Sequence, residues 1–306
     1  MAEPRPNTDR ALDPAVLDKL SNLSLVARKV VEGFMAGHHV SPHRGSSVEF
    51  AQHRPYVPGD SLRNIDWKVF ARSERLVVKE YVEETNLSCN ILVDASESMA
   101  FGSRGWTKFE YARWCAASLA HLVLAQRDTA GLVVFDEGHR LKVPPGNGMP
   151  QELSIMEALE KSSPGGPTGV GKAINMLVPR LRHRGITAIF SDFIDDAEEI
   201  LSGIRRMVHG GHEPILFQVL DPLELSFDLA SLLKLEGLEG TGTHRIDPKA
   251  IREAYLEEIE KHNQLLARQA AALSVDYVLL DTSLPVDVTL SAYLGARAGR
   301  ARGGGG

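Results

Sequence analysis

The chain has 306 residues, 34 of them basic and 40 acidic, and a formal charge of −6. That length fits one large domain or two modest ones with a real core. A mildly acidic, well-mixed charge excludes general affinity for nucleic acid or anionic membrane, which needs a basic surface. Cys89 and Cys115 are the only cysteines, too few for a disulfide scaffold, so a reducing compartment is expected and both read as buried small apolar residues. The opening Met1-Ala2-Glu3-Pro4-Arg5-Pro6 has no secretory apolar core, and no apolar run reaches the length of a membrane span. The expectation is a cytoplasmic protein with no membrane span.

Residues 14–36 carry apolar side chains at helical spacing, among them Leu17, Leu20, Leu23, Val26, Val30 and Phe34, which predicts one amphipathic helix or a helix pair. Residues 37–47 read as loop. Val48-Glu49-Phe50 and residues 76–82 have strand composition. Between them, residues 54–67 mix turn residues, charges and aromatics. From Asn90 strands and helices alternate, with strands expected at 89–94, 130–135, 139–143, 186–191, 214–220 and 275–281. Helices are expected at 107–126, 150–161, 169–183, 195–208, 248–273 and 286–297.

The connection Asp136-Glu137-Gly138 is hairpin-like, so the strand after it should be an antiparallel edge. The other connections need crossover helices, hence a mostly parallel, doubly wound α/β sheet covered on both faces. Segments 232–235 and 243–246 interrupt the alternation and suit a small extra hairpin. The organisation read from this pattern is an N-terminal extension packed on the sheet (1–86), an α/β domain (87–299) and a flexible glycine-rich tail (300–306).

The most informative stretch is Asp94-Ala95-Ser96-Glu97-Ser98, directly after the apolar run Cys89-Asn90-Ile91-Leu92-Val93. It places a carboxylate and two hydroxyls at the carboxyl end of a buried strand, where open α/β sheets bind ligands. Hard cations take oxygen ligands and keep several waters, so hydroxyls with a few carboxylates can hold one. A serine-rich turn that caps the next helix is the competing reading. A second apolar run, residues 186–191, ends in Asp192, and Pro164-Gly165-Gly166-Pro167 leads a loop to Thr168.

Asp94, Ser96, Ser98, Thr168 and Asp192 together resemble the metal-ion-dependent adhesion site of von Willebrand factor A-type domains. The resemblance implies that Ser96, Ser98 and Thr168 contact Mg²⁺ (or Mn²⁺ or Ca²⁺) directly, while Asp94 and Asp192 act through water. It also implies an open position on the ion that an Asp or Glu of a protein partner completes, with no catalysis. Glu97, beside the site, is either exposed or tunes its affinity.

The segment upstream narrows the resemblance. Tyr56-x-Pro58-Gly59-Asp60-x-x-Arg63-x-Ile65-Asp66-Trp67, then Ala71-Arg72, then Val78-Lys79-Glu80-Tyr81 is similar to the signature of the DUF58 family, a domain of unknown function fused to a von Willebrand A-like fold. The similarity extends to Leu280-Asp281-Thr282 and Tyr293-Leu294. It implies a partner among MoxR-type AAA+ ATPases and a role in assembling or activating protein complexes. By their chemistry alone, Gly59 suits a turn of positive φ and Pro58 restricts the residue before it. Asp60, Arg63, Asp66 and Arg72 suit a charge-paired network around Trp67, either a structural clamp or part of a partner surface.

Enzyme alternatives are a Mg²⁺-dependent phosphohydrolase with Asp94 as nucleophile, or an ATPase using loop 166–172. Phosphatases of that type need a second acid where Ser96 stands. Gly166-Pro167-Thr168-Gly169-Val170-Gly171-Lys172-Ala173 approaches a phosphate-binding loop, but Ala173 occupies the hydroxyl position and no strand precedes the loop. His38, His39 and His43 have possible zinc spacing without a nearby cysteine and read as surface histidines. No G-x-S-x-G nucleophile elbow occurs.

Overall fold

A computed structural model of the chain describes residues 14–17, 22–37, 50–57, 65–81, 87–181, 184–227, 233–236, 243–246 and 248–303. Two compact units result, residues 1–40 together with 87–306, and residues 41–86. Among the described residues no helix is long and apolar enough to cross a membrane.

The N-terminal apolar pattern forms a helix pair, α1 (Pro14–Leu17) and α2 (Leu23–Gly37). The smaller unit contains β1 (Phe50–Pro55), α3 (Trp67–Ser73) and β2 (Val77–Tyr81), with β1 and β2 paired antiparallel. The short α3 was not anticipated, because its start depends on one side chain. The Asp66 carboxylate accepts from Lys68 N and Val69 N at 3.0 and 3.2 Å, an N-cap that satisfies two otherwise orphaned donors.

In the larger unit the chain continues through β3 (Ser88–Asp94), α4 (Lys108–Ala125), β4 (Thr129–Phe135), β5 (His139–Gly146), α5 (Gly148–Glu160) and α6 (Val170–Leu177). It then forms β6 (Ile186–Ser191), α7 (Ala197–His209), β7 (Glu213–Leu220), α8 (Pro222–Ser226), β8 (Leu233–Glu236) and β9 (Thr243–Ile246). Last come α9 (Pro248–Ala272), β10 (Asp276–Asp281) and α10 (Val286–Gly303). The six-stranded sheet has the order β10-β7-β6-β3-β4-β5, parallel throughout except for the antiparallel edge strand β5. The doubly wound α/β expectation and its hairpin edge therefore hold. β8 and β9 pair antiparallel as the small separate hairpin.

Three element ends differ from expectation for local reasons. β5 runs on through Pro144 and Pro145 to Gly146, which an edge strand tolerates because it needs fewer ladder donors. Gln151 Nε2 secures that end by donating to Pro144 O and Ala130 O at 2.8 and 2.7 Å. α6 stops at Leu177 and tightens into a 3₁₀ turn over Val178–Arg180, because Pro179 has no N–H to continue the α ladder. α10 continues past residue 297 to Gly303.

Period-two alternation divides the core between the sheet's two faces. Ile91, Val93, Phe190 and Phe217 join α2, α4, α5 and α10 on one side, while Leu92, Ile189 and Leu216 join α6, α7 and α9 on the other. α4 is buried on most of its circumference, with Tyr111, Trp114, Cys115 and Ala116 all enclosed, because it lies between the sheet and α2. Phe190 stacks on Phe217 with ring centroids 4.6 Å apart, and Tyr293 meets Phe217 edge-on at 5.2 Å.

The order of the strands places the site. β3 lies between β4 and β6, and the chain winds outward from it in both directions. The crevice between the carboxyl ends of β3 and β6 is thus a topological switch point, where ligands of open α/β sheets bind.

Candidate metal centre

β3 ends in Asp94 and β6 is followed by Asp192, so the switch point brings two fully buried carboxylates together. Ser96 Oγ is 3.1 Å from Ser98 Oγ, and Thr168 Oγ1 donates to Ser98 Oγ at 3.3 Å. All five residues expected from the sequence converge, from three separate stretches of chain. Octahedral Mg²⁺ with bonds of about 2.1 Å spaces neighbouring ligand oxygens about 3.0 Å apart. The hydroxyl spacings match that edge length, so the residues fit the group. Among the described residues no three His, Cys, Asp or Glu side chains gather as a metal site.

The Asp-x-Ser-x-Ser turn is held by its own leading carboxylate. Asp94 Oδ1 accepts from Ser96 N at 2.8 Å, and Asp94 Oδ2 accepts from Ser191 Oγ at 2.6 Å. Ser191 Oγ in turn accepts from Phe193 N at 3.0 Å, tying the ends of β3 and β6. The Thr168 loop docks on this turn by two backbone bonds, Gly165 N to Ala95 O and Glu97 N to Gly166 O, both 2.9 Å. Arg140 clamps the same loop from β5, donating to Asp136 Oδ2 at 2.6 Å, to Ser163 O at 2.9 Å and to Gly165 O. Gly166 is required here. Its φ is +84°, and a Cβ would lie 2.7 Å from Asp136 Oδ2.

Asp192 is engaged on both oxygens. Oδ1 accepts from Ile194 N at 3.2 Å, and Oδ2 accepts from the Lys108 ammonium at 2.8 Å. Lys108 also donates to Glu224 Oε1 at 2.7 Å. Burial works against the charge on Lys108, but the carboxylates of Asp192 and Glu224 outweigh it and hold the ammonium protonated above the ordinary lysine range. For Glu224 the balance runs the other way, burial raising its pKa more than Lys108 lowers it.

Burial and the neighbouring Asp192 charge push Asp94 from 3.8 up to about 7, against the bonds from Ser191 and Ser96. An unfolded Asp ionises near pH 4. Between pH 4 and pH 7 the folded apo-protein therefore keeps a proton that the unfolded chain releases. Its contribution to stability is full below that window and is lost as pH rises through it. In chelator, the urea midpoint of the wild type relative to Asp94→Asn is expected to be higher at pH 5 than at pH 8. A constant difference would contradict this.

Four residues of the site escaped the sequence reading: Lys108, Ser191, Arg140 and Glu224. One signal was available, a lysine at the first position of a helix, where the macrodipole disfavours a cation. Of the upstream signature, Tyr56, Asp66, Trp67 and Arg72 are described, while Gly59, Asp60 and Arg63 lie outside the described residues, as do His38, His39 and His43. Trp67 is 58% exposed and meets Phe70 edge-on, and Arg72 is exposed. The loop resembling a phosphate cradle follows α5, and Lys172 lies in the first turn of α6, paired with Glu137 at 2.9 Å.

Comparison with known proteins places the chain among relatives of similar length. Uncharacterized proteins Mb1516 of Mycobacterium bovis and Rv1480 of Mycobacterium tuberculosis are each 27% identical over 265 residues, 84% of this chain and 81% of theirs. Among solved structures, the conserved hypothetical protein BatB from Bacteroides thetaiotaomicron is 17% identical with a TM-score of 0.43, over 69% of this chain and 98% of that one. An aerotolerance-related membrane protein from Bacteroides fragilis is 18% identical with a TM-score of 0.45, over 69% and 99%. The profile described as protein of unknown function DUF58 matches residues 52–265, and the chain belongs to that family.

Proposed function

We propose that the chain is a non-enzymatic protein-interaction module of von Willebrand A-like type that binds a partner through a divalent cation. The observation that carries this reading is the cluster of Ser96, Ser98 and Thr168 hydroxyls at Mg²⁺-ligand spacing, backed by two buried carboxylates at the switch point. Ser96, Ser98 and Thr168 would hold Mg²⁺, with Mn²⁺ or Ca²⁺ as alternatives, and Asp94 and Asp192 would orient its waters. When bound, the ion supplies positive charge that an Asp or Glu of the partner completes.

The residues of this chain do the positioning. Ser191 and the Ser96 N–H hold Asp94 in place, and groups behind metal ligands matter nearly as much as the ligands. Arg140 fixes the loop that presents Thr168. The partner is assigned to the MoxR-type AAA+ ATPases on the resemblance of the upstream signature, with a cytoplasmic role in assembling or activating protein complexes.

The test is capture of such an ATPase by the purified chain with Mg²⁺ and with chelator. Ser98→Ala is expected to reduce Mg²⁺-dependent capture about tenfold or more while circular dichroism stays unchanged. Asp192→Asn, which keeps an oxygen against Lys108, is expected to reduce it in the same direction. Capture indifferent to Mg²⁺ and to both substitutions would reject the ion bridge.

A further inference from the structure

Lys108 is a buried cation at this end of the sheet. It is the first residue of α4, where a positive charge faces the positive end of the helix dipole. Its side chain is only 1% exposed, and removing an ammonium from water is costly unless it is paired. Two unfavourable placements coincide in one residue, and what offsets them is the pair of carboxylates it touches, Asp192 and Glu224. Glu224 is itself held in place, since its other oxygen accepts from Asp221 N at 2.9 Å in the capping box of α8.

Asp192 is one of the two carboxylates behind the hydroxyl cluster, and the chain already supplies it with a cation. We propose that Lys108 is a built-in counter-cation that sets how strongly the hydroxyl cluster takes a divalent ion. By offsetting part of the Asp192 charge, it lowers the net negative charge behind the hydroxyls. The ion is then held more weakly by this chain and keeps more of its charge for an incoming carboxylate. This inference rests on the metal reading above and adds a residue that decides the site's affinity.

The competing role for Lys108 is a staple joining the end of β6 to α8, and the two roles predict opposite effects on metal affinity. Lys108→Met keeps most of the stem and removes the charge. Lys108→Met/Glu224→Gln also removes the carboxylate that the first change leaves stranded. The full chain and both variants, stripped with chelator, are titrated calorimetrically with MgCl₂ and MnCl₂.

A counter-cation predicts at least about tenfold tighter binding of both metals in Lys108→Met, because the ammonium 2.8 Å from Asp192 offsets a carboxylate behind the hydroxyls at low effective dielectric. The double variant loses one charge of each sign, so its gain is smaller but of the same sign, since Lys108 touches Asp192 directly. Unchanged or weaker binding in the double variant overturns the proposal and makes Lys108 a staple. A variant that unfolds in chelator but regains its near-ultraviolet circular dichroism at Mg²⁺ concentrations below the wild type's dissociation constant supports it; a double variant that refolds only above that concentration, or at none, counts against it. If the wild type takes up no metal but the variants do, the metal-bridge function fails and the role of Lys108 stands. If none binds, both fail.

Discussion

On the metal-bridge proposal, alanine at both Ser98 and Thr168 is expected to erase any stabilisation by Mg²⁺. A ligand that binds only the folded state adds about 2.7 kcal/mol when present at a hundred times its dissociation constant. The wild type should gain roughly that much in urea unfolding on going from chelator to saturating Mg²⁺. The double variant should gain almost nothing, since two of its three hydroxyls at ligand spacing are gone. Both residues are only half-buried, so the variant's stability in chelator should stay close to wild type. An equal Mg²⁺ gain in both proteins would show that the ion binds elsewhere or not at all. The measurement needs no knowledge of the partner.

Phe190→Ala should cost about 3–5 kcal/mol of unfolding free energy, the usual range for emptying a buried phenylalanine site. The ring is fully buried, stacks on Phe217 and lies on the central sheet, two residues before Asp192. The loss combines transferred apolar area with a cavity whose rigid neighbours collapse only partly. Chemical denaturation should show a lower midpoint with an unchanged slope. A loss below about 1 kcal/mol would mean that this part of the core is loosely packed. Because Asp192 directly follows β6, weaker Mg²⁺ binding in this variant would show that the strand positions the site.

Much of the architecture was readable from short-range pattern. Alternating apolar runs bounded by turn residues located all six strands of the main sheet, and Asp136-Glu137-Gly138 marked the antiparallel edge. The misplaced boundaries lie where one proline or one cap decides the outcome: Pro179 ends α6, Pro144 and Pro145 are tolerated on an edge, and Asp66 starts α3. The site divides in the same way. Asp94, Ser96 and Ser98 lie within five residues of one another, and their shared turn is a local property.

What local chemistry dictates here is the strand–helix alternation, the acidic surface balance, and a carboxylate with two hydroxyls at a strand end. Strand period, turn preference and helix capping act over only a few residues, so they are legible in one dimension. The partners of those groups are decided in three dimensions. Ser191 reaches Asp94 across 97 positions, Lys108 reaches Asp192 across 84, and Arg140 clamps Ser163 across 23. Hydrogen bonds and ion pairs require atoms within about 3 Å, and only the placing of β3 between β4 and β6 brings such distant residues that close.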